Sequence, residues 1–226
     1  MFLKFPSPSN FLLAGMTQSG KSFWGKRLIE NKEQMFQIPP KRVVYVYSTF
    51  QPLFKELQSL GVKFHEGLPT KEQLEQWTIS RDHLLLFLDD VITSACNSLD
   101  IVTLFTVTSH HRNVTTVLML QTVFAPCFRY ARVLSLNSHF FVLFNTKRDR
   151  QQIVNLGKQI FPNQSNYFMT CYEDACSEPY GYLLCDLHPA TDKKFMLRTR
   201  IFPGEVTWFY GPNKEGEESE TYSFSV

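Results

Sequence analysis

The segment 15–22 constrains the fold of this chain more than any other part of the sequence. It reads GMTQSGKS, with glycine, glycine, lysine and serine at the four fixed positions of the pattern G-x-x-x-x-G-K-[ST]. Glycines let the backbone turn around phosphate groups, so that successive N–H groups point at the phosphate oxygens. In this pattern Lys21 reaches the β- and γ-phosphates, and the Ser22 hydroxyl binds Mg²⁺. The expected nucleotide-binding residues are Gly15, Met16, Thr17, Gln18, Ser19, Gly20, Lys21 and Ser22.

The residues on either side of this loop predict the strand and the helix that such a loop requires. Residues 11–14 form a short apolar run that is typical of a buried strand. Residues 22–32 follow as a helix, with Phe23, Leu28 and Ile29 on its apolar side. The N-terminus of that helix adds partial positive charge next to the phosphates. We expect the bound nucleotide to be ATP with Mg²⁺, and Lys21 to act in catalysis.

A run of five apolar residues, 84–88, ends in the paired carboxylates Asp89 and Asp90. Continuous apolarity predicts a parallel strand buried on both faces, and such sheets bind ligands at the carboxyl ends of their strands. We expect Asp89 to hold Mg²⁺, through water, and Asp90 to orient or deprotonate the attacking water. Many hydrolases with a phosphate-binding loop of this kind have glutamate at the position of Asp90. Asp90 therefore also fits a turn residue after a core strand.

A third apolar run, 115–120, ends in Gln121. A polar side chain at the tip of that strand can sense the γ-phosphate and align the water that attacks it. The run follows the paired aspartates in a chain that already has a phosphate-binding loop. We therefore predict a catalytic role for Gln121.

Further apolar runs predict an α/β protein whose strands and helices alternate up to about residue 160. The expected strands are 43–48 and 139–144, and the expected helices are 51–60, 71–77, 98–109 and 148–160. Later runs predict short strands without long helices, hence an antiparallel extension of the sheet, at 180–187, 195–202 and 206–210. We expect one domain over 1–212, with 161–212 as the extension, and a flexible acidic tail over 213–226.

Composition narrows the class of protein. Lys and Arg number 23 against 21 Asp and Glu, and the tail holds one Lys and four Glu, so the body carries a net charge of +5. That mild bias is compatible with a nucleic-acid surface. No stretch of about 18 consecutive apolar residues occurs, so we expect no membrane span. The five cysteines are odd in number and lack CxxC spacing, which favours reduced thiols in an intracellular protein.

Taken in order along the chain, these motifs resemble the FtsK/HerA superfamily. The similarity is to its compact DNA-packaging ATPases of the poxvirus type, and especially to those of Polinton (Maverick) elements and adintovirus-like viruses. It covers roughly residues 8–205. The blocks that carry it are FLLAGMTQSGKS, VYSTFQPLF, LLLFLDD, LFTVTSHHRN with VLMLQT, LSLNSHFFVLFNTKRDRQQI and PYGYLLCDLHPAT.

The resemblance implies an additional-strand P-loop NTPase fold, a mainly parallel sheet with helices on both faces. In that fold the Gln121 strand lies between the loop strand and the Asp89 strand. The resemblance also implies a homo-oligomeric ring, often a hexamer, that hydrolyses ATP at subunit interfaces and translocates double-stranded DNA. An arginine of the neighbouring subunit would stabilise charge on the transferred phosphate. Arg112 matches that position best and Arg148 is the second candidate, although each also fits a surface arginine.

Packaging would imply further partners and a place in the cell. The partners would be capsid or other packaging proteins, and the location would be the assembly site in the host nucleus or cytoplasm, or the virion. A translocating ring grips phosphates by charge and does not read bases. The candidate DNA contacts, each of which also fits a basic solvated rim, are Lys147, Arg148, Arg150, Arg129 and Arg132.

Two other classes of protein stay open. A small-molecule phosphotransferase, such as a nucleotide kinase, would need an arginine-rich lid and an acceptor pocket, and the sequence shows no such cluster. A non-hydrolysing, nucleotide-gated assembly module is favoured by Asp90 in place of glutamate. A DNA-dependent rise in turnover separates the motor from the kinase, and any turnover excludes the passive module.

Overall fold

One continuous sheet organises the part of the chain that the computed structural model describes, residues 4–91, 95–124, 129–211 and 221–224. Its ten strands are β1 Asn10–Ala14, β2 Arg42–Tyr47, β3 Lys63–Glu66, β4 Leu84–Asp89, β5 Val114–Leu120, β6 Phe140–Phe144, β7 Tyr182–Asp186, β8 Leu197–Thr199, β9 Thr207–Tyr210 and β10 Thr221–Phe224. Their order across the sheet is β10-β9-β8-β7-β6-β1-β5-β4-β2-β3. The six strands from β6 to β3 are parallel, and β7 to β10 are antiparallel. The expected mainly parallel sheet with a C-terminal antiparallel extension is confirmed.

Helices cover both faces of this sheet. They are α1 Lys21–Glu30, α2 Lys32–Met35, α3 Leu53–Ser59, α4 Lys71–Thr78, α5 Leu99–Thr103, α6 Ser109–Arg112, α7 Ala131–Leu136, α8 Arg150–Ile160 and α9 Ser165–Ala175. A π-helical turn, Leu104–Thr108, joins α5 to α6, and a 3₁₀ turn forms at Lys193–Phe195. Within the described ranges, no helix is both long enough and apolar enough to cross a membrane.

Alternate residues of the central strands face two separate hydrophobic cores. On β1, Phe11 and Leu13 belong to one core, with residues of α1 and α3, whereas Leu12 and Ala14 belong to the other, with residues of α8 and α9. Successive side chains of a strand point to opposite faces of the sheet. Because helices cover both faces, most residues of the central strands are apolar, which produces the long apolar runs in the sequence; the buried polar exceptions on β1 and β5 are Asn10, Thr115 and Thr116.

The strand that ends at Gln121 lies between the other two strands of the expected site. β5 pairs with β1 on one side and with β4 on the other, which confirms the additional-strand order. Ala14 lies opposite Leu120, and Met119 lies opposite Asp89. The carboxyl ends of the three strands therefore meet at one edge, the edge at which parallel sheets bind ligands.

One helix lies where the sequence analysis expected only short strands. Ser165–Ala175 form an 11-residue helix, so the prediction of no long helix after 161–163 was wrong. The buried residues recur with the i, i+3, i+4, i+7 spacing of an amphipathic helix, and they are Phe168, Cys171, Tyr172 and Ala175. Packing of that face against the sheet, rather than the modest helix propensity of the segment, determines its structure.

The segment expected to be a flexible tail, 213–226, contains a strand in its described part. Thr221–Phe224 pair antiparallel with β9, from Thr221 opposite Tyr210 to Phe224 opposite Thr207. An edge strand presents unpaired backbone N–H and C=O groups, so it can order a short polar segment that composition alone assigns to solvent. The other residues of the expected tail lie outside the described ones.

Candidate functional site

A cleft of about 480 Å³ lies at the edge where β1, β4 and β5 end. Its lining residues are Thr17, Gln18, Gly20, Lys21, Ser22, Phe23, Gln51, Asp89, Asp90, Met119, Leu120, Gln121 and Tyr180. The fold thus brings together the loop 15–22, the paired aspartates and Gln121, which lie far apart in the sequence.

Two positions of the loop have a geometry that requires glycine. Gly20 has a φ of +109°, a left-handed value that residues with a side chain rarely adopt. A Cβ atom on Gly15 would lie 2.6 Å from both Phe144 Cβ and Ser19 Oγ, which is too close for any side chain. α1 begins at Lys21, directly after the second glycine. The loop therefore stays open to a phosphate group beside the N-terminus of a helix.

The Ser19 hydroxyl indicates that the loop accommodates a ligand. It is buried and has no hydrogen-bond partner among the described residues. A buried hydroxyl without a partner is unfavourable, so an oxygen atom of a ligand in the loop would satisfy it. An anionic, oxygen-rich group such as a triphosphate fits this donor and the adjacent helix N-terminus. The loop residues therefore fit a nucleotide.

Lys21 lies over the loop with its charge partly removed from water. Its ammonium group donates to the carbonyl oxygens of Gly15, at 2.5 Å, and Met16, at 2.9 Å. Burial lowers the pKa of Lys21, while the nearby Asp89 and Asp90 act in the opposite direction. Opposite charges attract more strongly away from bulk water, so a partly buried ammonium group is well suited to binding phosphate oxygens.

Ser22 and Asp89 meet in the cleft, where Ser22 Oγ donates to Asp89 Oδ2 at 3.4 Å. Both side chains offer oxygen, the ligand atom that Mg²⁺ prefers. Asp89 is only 5% exposed. Burial raises the pKa of its carboxyl group, although the Tyr45 hydrogen bond and the Lys21 charge oppose that effect. A divalent cation would offset this buried negative charge, so Ser22 and Asp89 fit Mg²⁺.

Tyr45, which the sequence analysis did not single out, fixes the Asp89 carboxylate. This fully buried residue of β2 donates its hydroxyl to Asp89 Oδ2 at 2.7 Å. Its ring stacks on Phe87 of β4, with the centroids 5.1 Å apart. A tyrosine in an apolar strand also fits an ordinary core residue, so the sequence gives no signal for this contact. The structure makes Tyr45 a positioning residue for Asp89.

Asp90 and Gln121 line the cleft from the ends of β4 and β5. Both side chains are exposed, so a water molecule in the cleft can reach them. Asp90 has a φ of +55°, a value that is uncommon for any residue other than glycine. Such conformations cluster at functional sites, where the surrounding structure imposes them. These positions support the predicted roles of Asp90 and Gln121, which stay predictions.

The two arginine candidates do not line this cleft. Arg112 ends α6 just before the amino end of β5, so it lies at the opposite edge of the sheet from the loop. Arg148 is exposed and follows the carboxyl end of β6, which pairs with β1. Contact between Arg112 and a nucleotide would therefore require a neighbouring subunit.

Three further residues of the cleft, Phe23, Gln51 and Tyr180, were not predicted as site residues. Gln51 lies shortly after β2, which ends at the same edge of the sheet, so its position near a strand end was a usable signal. Phe23 was assigned to the apolar side of the helix, yet it is 55% exposed. Tyr180 reaches the loop from the turn before β7, and only the tertiary structure brings the two together.

Comparison with known proteins bears on the fold. No protein-family model and no curated protein sequence matches the chain. Its structure is similar to that of the genome packaging NTPase B204 from Sulfolobus turreted icosahedral virus 2, solved in complex with ATP-gammaS. The TM-score is 0.53 at 14% sequence identity, and the match covers 81% of this chain and 94% of that chain. The chain therefore has a P-loop NTPase fold, similar to that of a viral genome packaging NTPase.

Proposed function

We propose that this chain hydrolyses ATP with Mg²⁺ and uses the reaction to translocate double-stranded DNA into a viral or virus-like capsid. The observation that carries the proposal is the composition of the cleft. Lys21 lines the cleft from the loop, the Ser22–Asp89 pair lies beside Lys21, and Gln121 follows the end of the neighbouring strand. The likeness of the fold to that of a genome packaging NTPase supports the biological role.

Each predicted residue has a role in the proposed reaction. Lys21 and the loop hold the phosphates, and Ser22 and Asp89 hold Mg²⁺, which neutralises charge on the phosphate oxygens. Asp90 orients or deprotonates the attacking water. Gln121 aligns that water with the γ-phosphate from the end of β5.

The proposal includes a homo-oligomeric ring, for which we expect a hexamer, with nucleotides between subunits. Arg112 supports this arrangement because it lies at the edge of the sheet away from its own cleft. In the ring, Arg112 or Arg148 of a neighbouring subunit stabilises charge on the transferred phosphate. Capsid or other packaging proteins complete the assembly in the host nucleus or cytoplasm, or in the virion.

DNA binding in this proposal is electrostatic and independent of sequence. The exposed candidates are Lys147, Arg148, Arg129 and Arg132. Arg150 is also exposed, but it forms an ion pair with Glu173 of α9, which offsets its charge. Lys147 and Arg148 leave the sheet at the edge that holds the nucleotide cleft, so movement there can be coupled to hydrolysis.

ATP turnover with and without linear double-stranded DNA tests the function. We expect DNA to raise the rate severalfold at protein concentrations that permit assembly, with the Lys21→Ala variant as the blank. Turnover that ignores DNA over the whole concentration range would contradict the translocase. Turnover that rises with a small phosphoryl acceptor would favour the kinase, and a complete lack of turnover would favour the passive module.

Replacing Tyr45 with phenylalanine is expected to raise the Mg²⁺ concentration needed for half-maximal turnover by about tenfold, since groups that orient a metal ligand contribute 10- to 100-fold. The change keeps the ring packing and removes only the hydroxyl that holds Asp89. Mg²⁺ titration of turnover measures the effect. Tyr47→Phe is the matched control, because Tyr47 lies on the same strand and also packs against Phe54, but the hydroxyl that donates to Asp89 is that of Tyr45. An unchanged Mg²⁺ requirement for the Tyr45 variant would rule out the positioning role.

A further inference from the structure

A second cleft, of about 760 Å³, adjoins the phosphate cleft. The two share Gly20, Phe23 and Tyr180 in their linings, so a molecule bound in one can extend into the other past these residues. The second cleft lies between α1, the turn before β7 and the antiparallel strands β8 and β9. Its volume is within the range of cavities that bind small molecules. None of its residues was predicted to act in nucleotide binding except Gly20.

The lining of this cleft suits a flat aromatic group with polar edges. Its accessible aromatic members are Phe23, Tyr180 and Trp208, and the buried Trp24 and Phe202 form the floor beneath them. Ion pairs supply polar groups at the same surface: Arg200 Nη2 lies 2.9 Å from Glu178 Oε2, and Arg27 pairs with Glu205. Aromatic side chains stack on nucleobases of any identity because every base has a π-face. Carboxylate and guanidinium groups can bind base edges and ribose hydroxyls.

Tyr180 lies at the junction of the two clefts. Its side chain packs against the loop, because a Cβ atom on Gly20 would lie 3.2 Å from Tyr180 Cδ1. The residue is nevertheless 67% exposed, and its φ of +64° is a left-handed value that is strained for a bulky side chain. Strained backbone of this kind persists where the surrounding structure imposes it, commonly at ligand sites. The aromatic ring of Tyr180 thus lies where the phosphates of a bound nucleotide would join its nucleoside.

We propose that the second cleft binds the base and ribose of the nucleotide, with the Tyr180 ring as a stacking platform. The inference rests on the proposed binding of the triphosphate by the loop. It adds that α1, the turn before β7, and β8 and β9 form the nucleoside side of the site. The antiparallel extension of the sheet is then part of the nucleotide site rather than a peripheral addition.

The affinities of ATP and of inorganic triphosphate for the full chain test this proposal, because triphosphate occupies the loop and lacks the nucleoside. In Tyr180→Ala we expect ATP to bind at least about fivefold more weakly, the lower end for the loss of one base–aromatic stack. Triphosphate is expected to bind unchanged. Tyr180→Phe keeps the aromatic ring, so this variant should bind ATP with the affinity of the unaltered chain. Leu136→Ala is the matched control, since Leu136 is 69% exposed and lies outside both clefts.

The outcomes separate this inference from the function on which it rests. If Tyr180→Ala binds ATP and triphosphate more weakly by the same factor, Tyr180 only shapes the loop. If its affinity for both compounds is unchanged, the base lies elsewhere. Either result overturns the proposal. If the unaltered chain binds neither compound, the nucleotide function itself fails. Tyr180→Gly, which tolerates a positive φ, repeats the test in a relaxed backbone, with thermal melting as the check on folding.

Discussion

Replacing Lys21 with alanine is expected to lower ATP turnover by about two to three orders of magnitude, the usual effect of removing one group that stabilises charge in a transition state. The Lys21 ammonium group is the cation of the loop, and it lies in the cleft with part of its hydration removed. In the folded chain it donates to the carbonyl oxygens of Gly15 and Met16. Among the described residues, Lys21 is the only lysine or arginine that lines this cleft, so no other described side chain of the same subunit is placed to replace it.

The fold is expected to survive this change. Losing hydrogen bonds to two loop carbonyls is partly offset by removing an ammonium group whose burial is unfavourable. The free energy of unfolding should therefore change by about 1 kcal/mol or less. Turnover assays and thermal melting together test the prediction. Lys26→Ala is the matched control on the same helix, because Lys26 pairs with Glu30 and Glu56 away from the cleft. If Lys21→Ala retains near-normal turnover, the loop is not the site of chemistry.

Replacing Asp89 with asparagine is expected to lower Mg²⁺-dependent turnover, again by about two orders of magnitude or more. Asparagine keeps the shape and an acceptor for the Tyr45 hydroxyl and the Ser22 hydroxyl, but it has no charge with which to hold a divalent cation. Nucleotide binding without Mg²⁺ should be much less affected. The loss should thus appear in turnover and in Mg²⁺ binding, measured by calorimetry, before it appears in binding of the free nucleotide.

The same substitution should leave the chain at least as stable without Mg²⁺. Burial raises the pKa of the Asp89 carboxyl, which means that the folded state disfavours its ionised form. A carboxyl whose folded pKa lies above its unfolded value lowers stability at pH values above both, and asparagine removes that contribution. The control is Asp82→Asn, which changes a partly exposed aspartate paired with Lys41. A large drop in melting temperature for Asp89→Asn alone would show a mainly structural role for this carboxylate.

The central half of the fold could be predicted from the sequence because its strands are buried on both faces. The runs that end at Ala14 and at Asp89, and the four residues before Gln121, are apolar without a break, and that pattern is typical of central parallel strands. β3 was missed because Lys63–Glu66 form an edge strand whose residues are exposed or half-buried, so no such run exists. The position of β5 between β1 and β4 followed only from the resemblance, since burial is the same in any central position.

The residues of the candidate site also fall into those that could be predicted from the sequence and those that could not. The loop 15–22, Asp89 and Gln121 could be named because local motifs require particular residue types at fixed spacing. Tyr45 and Tyr180 could not, because their roles depend on contacts with residues more than 40 positions away in the chain. A tyrosine that orients a carboxylate and one that fills a core look identical in a single sequence. Long-range contacts of this kind become visible only in three dimensions.

The insertion of β5 into the middle of the sheet has a mechanical consequence. This strand of seven residues, about 20 Å long, carries Gln121 at one end and follows directly from Arg112 and Asn113 at the other. In a ring where Arg112 reaches the adjoining subunit, one stiff strand would contact two nucleotides, its own through Gln121 and the adjoining one through Arg112. The strand would then link the two nucleotide sites directly, through a segment that is paired on both sides by β1 and β4.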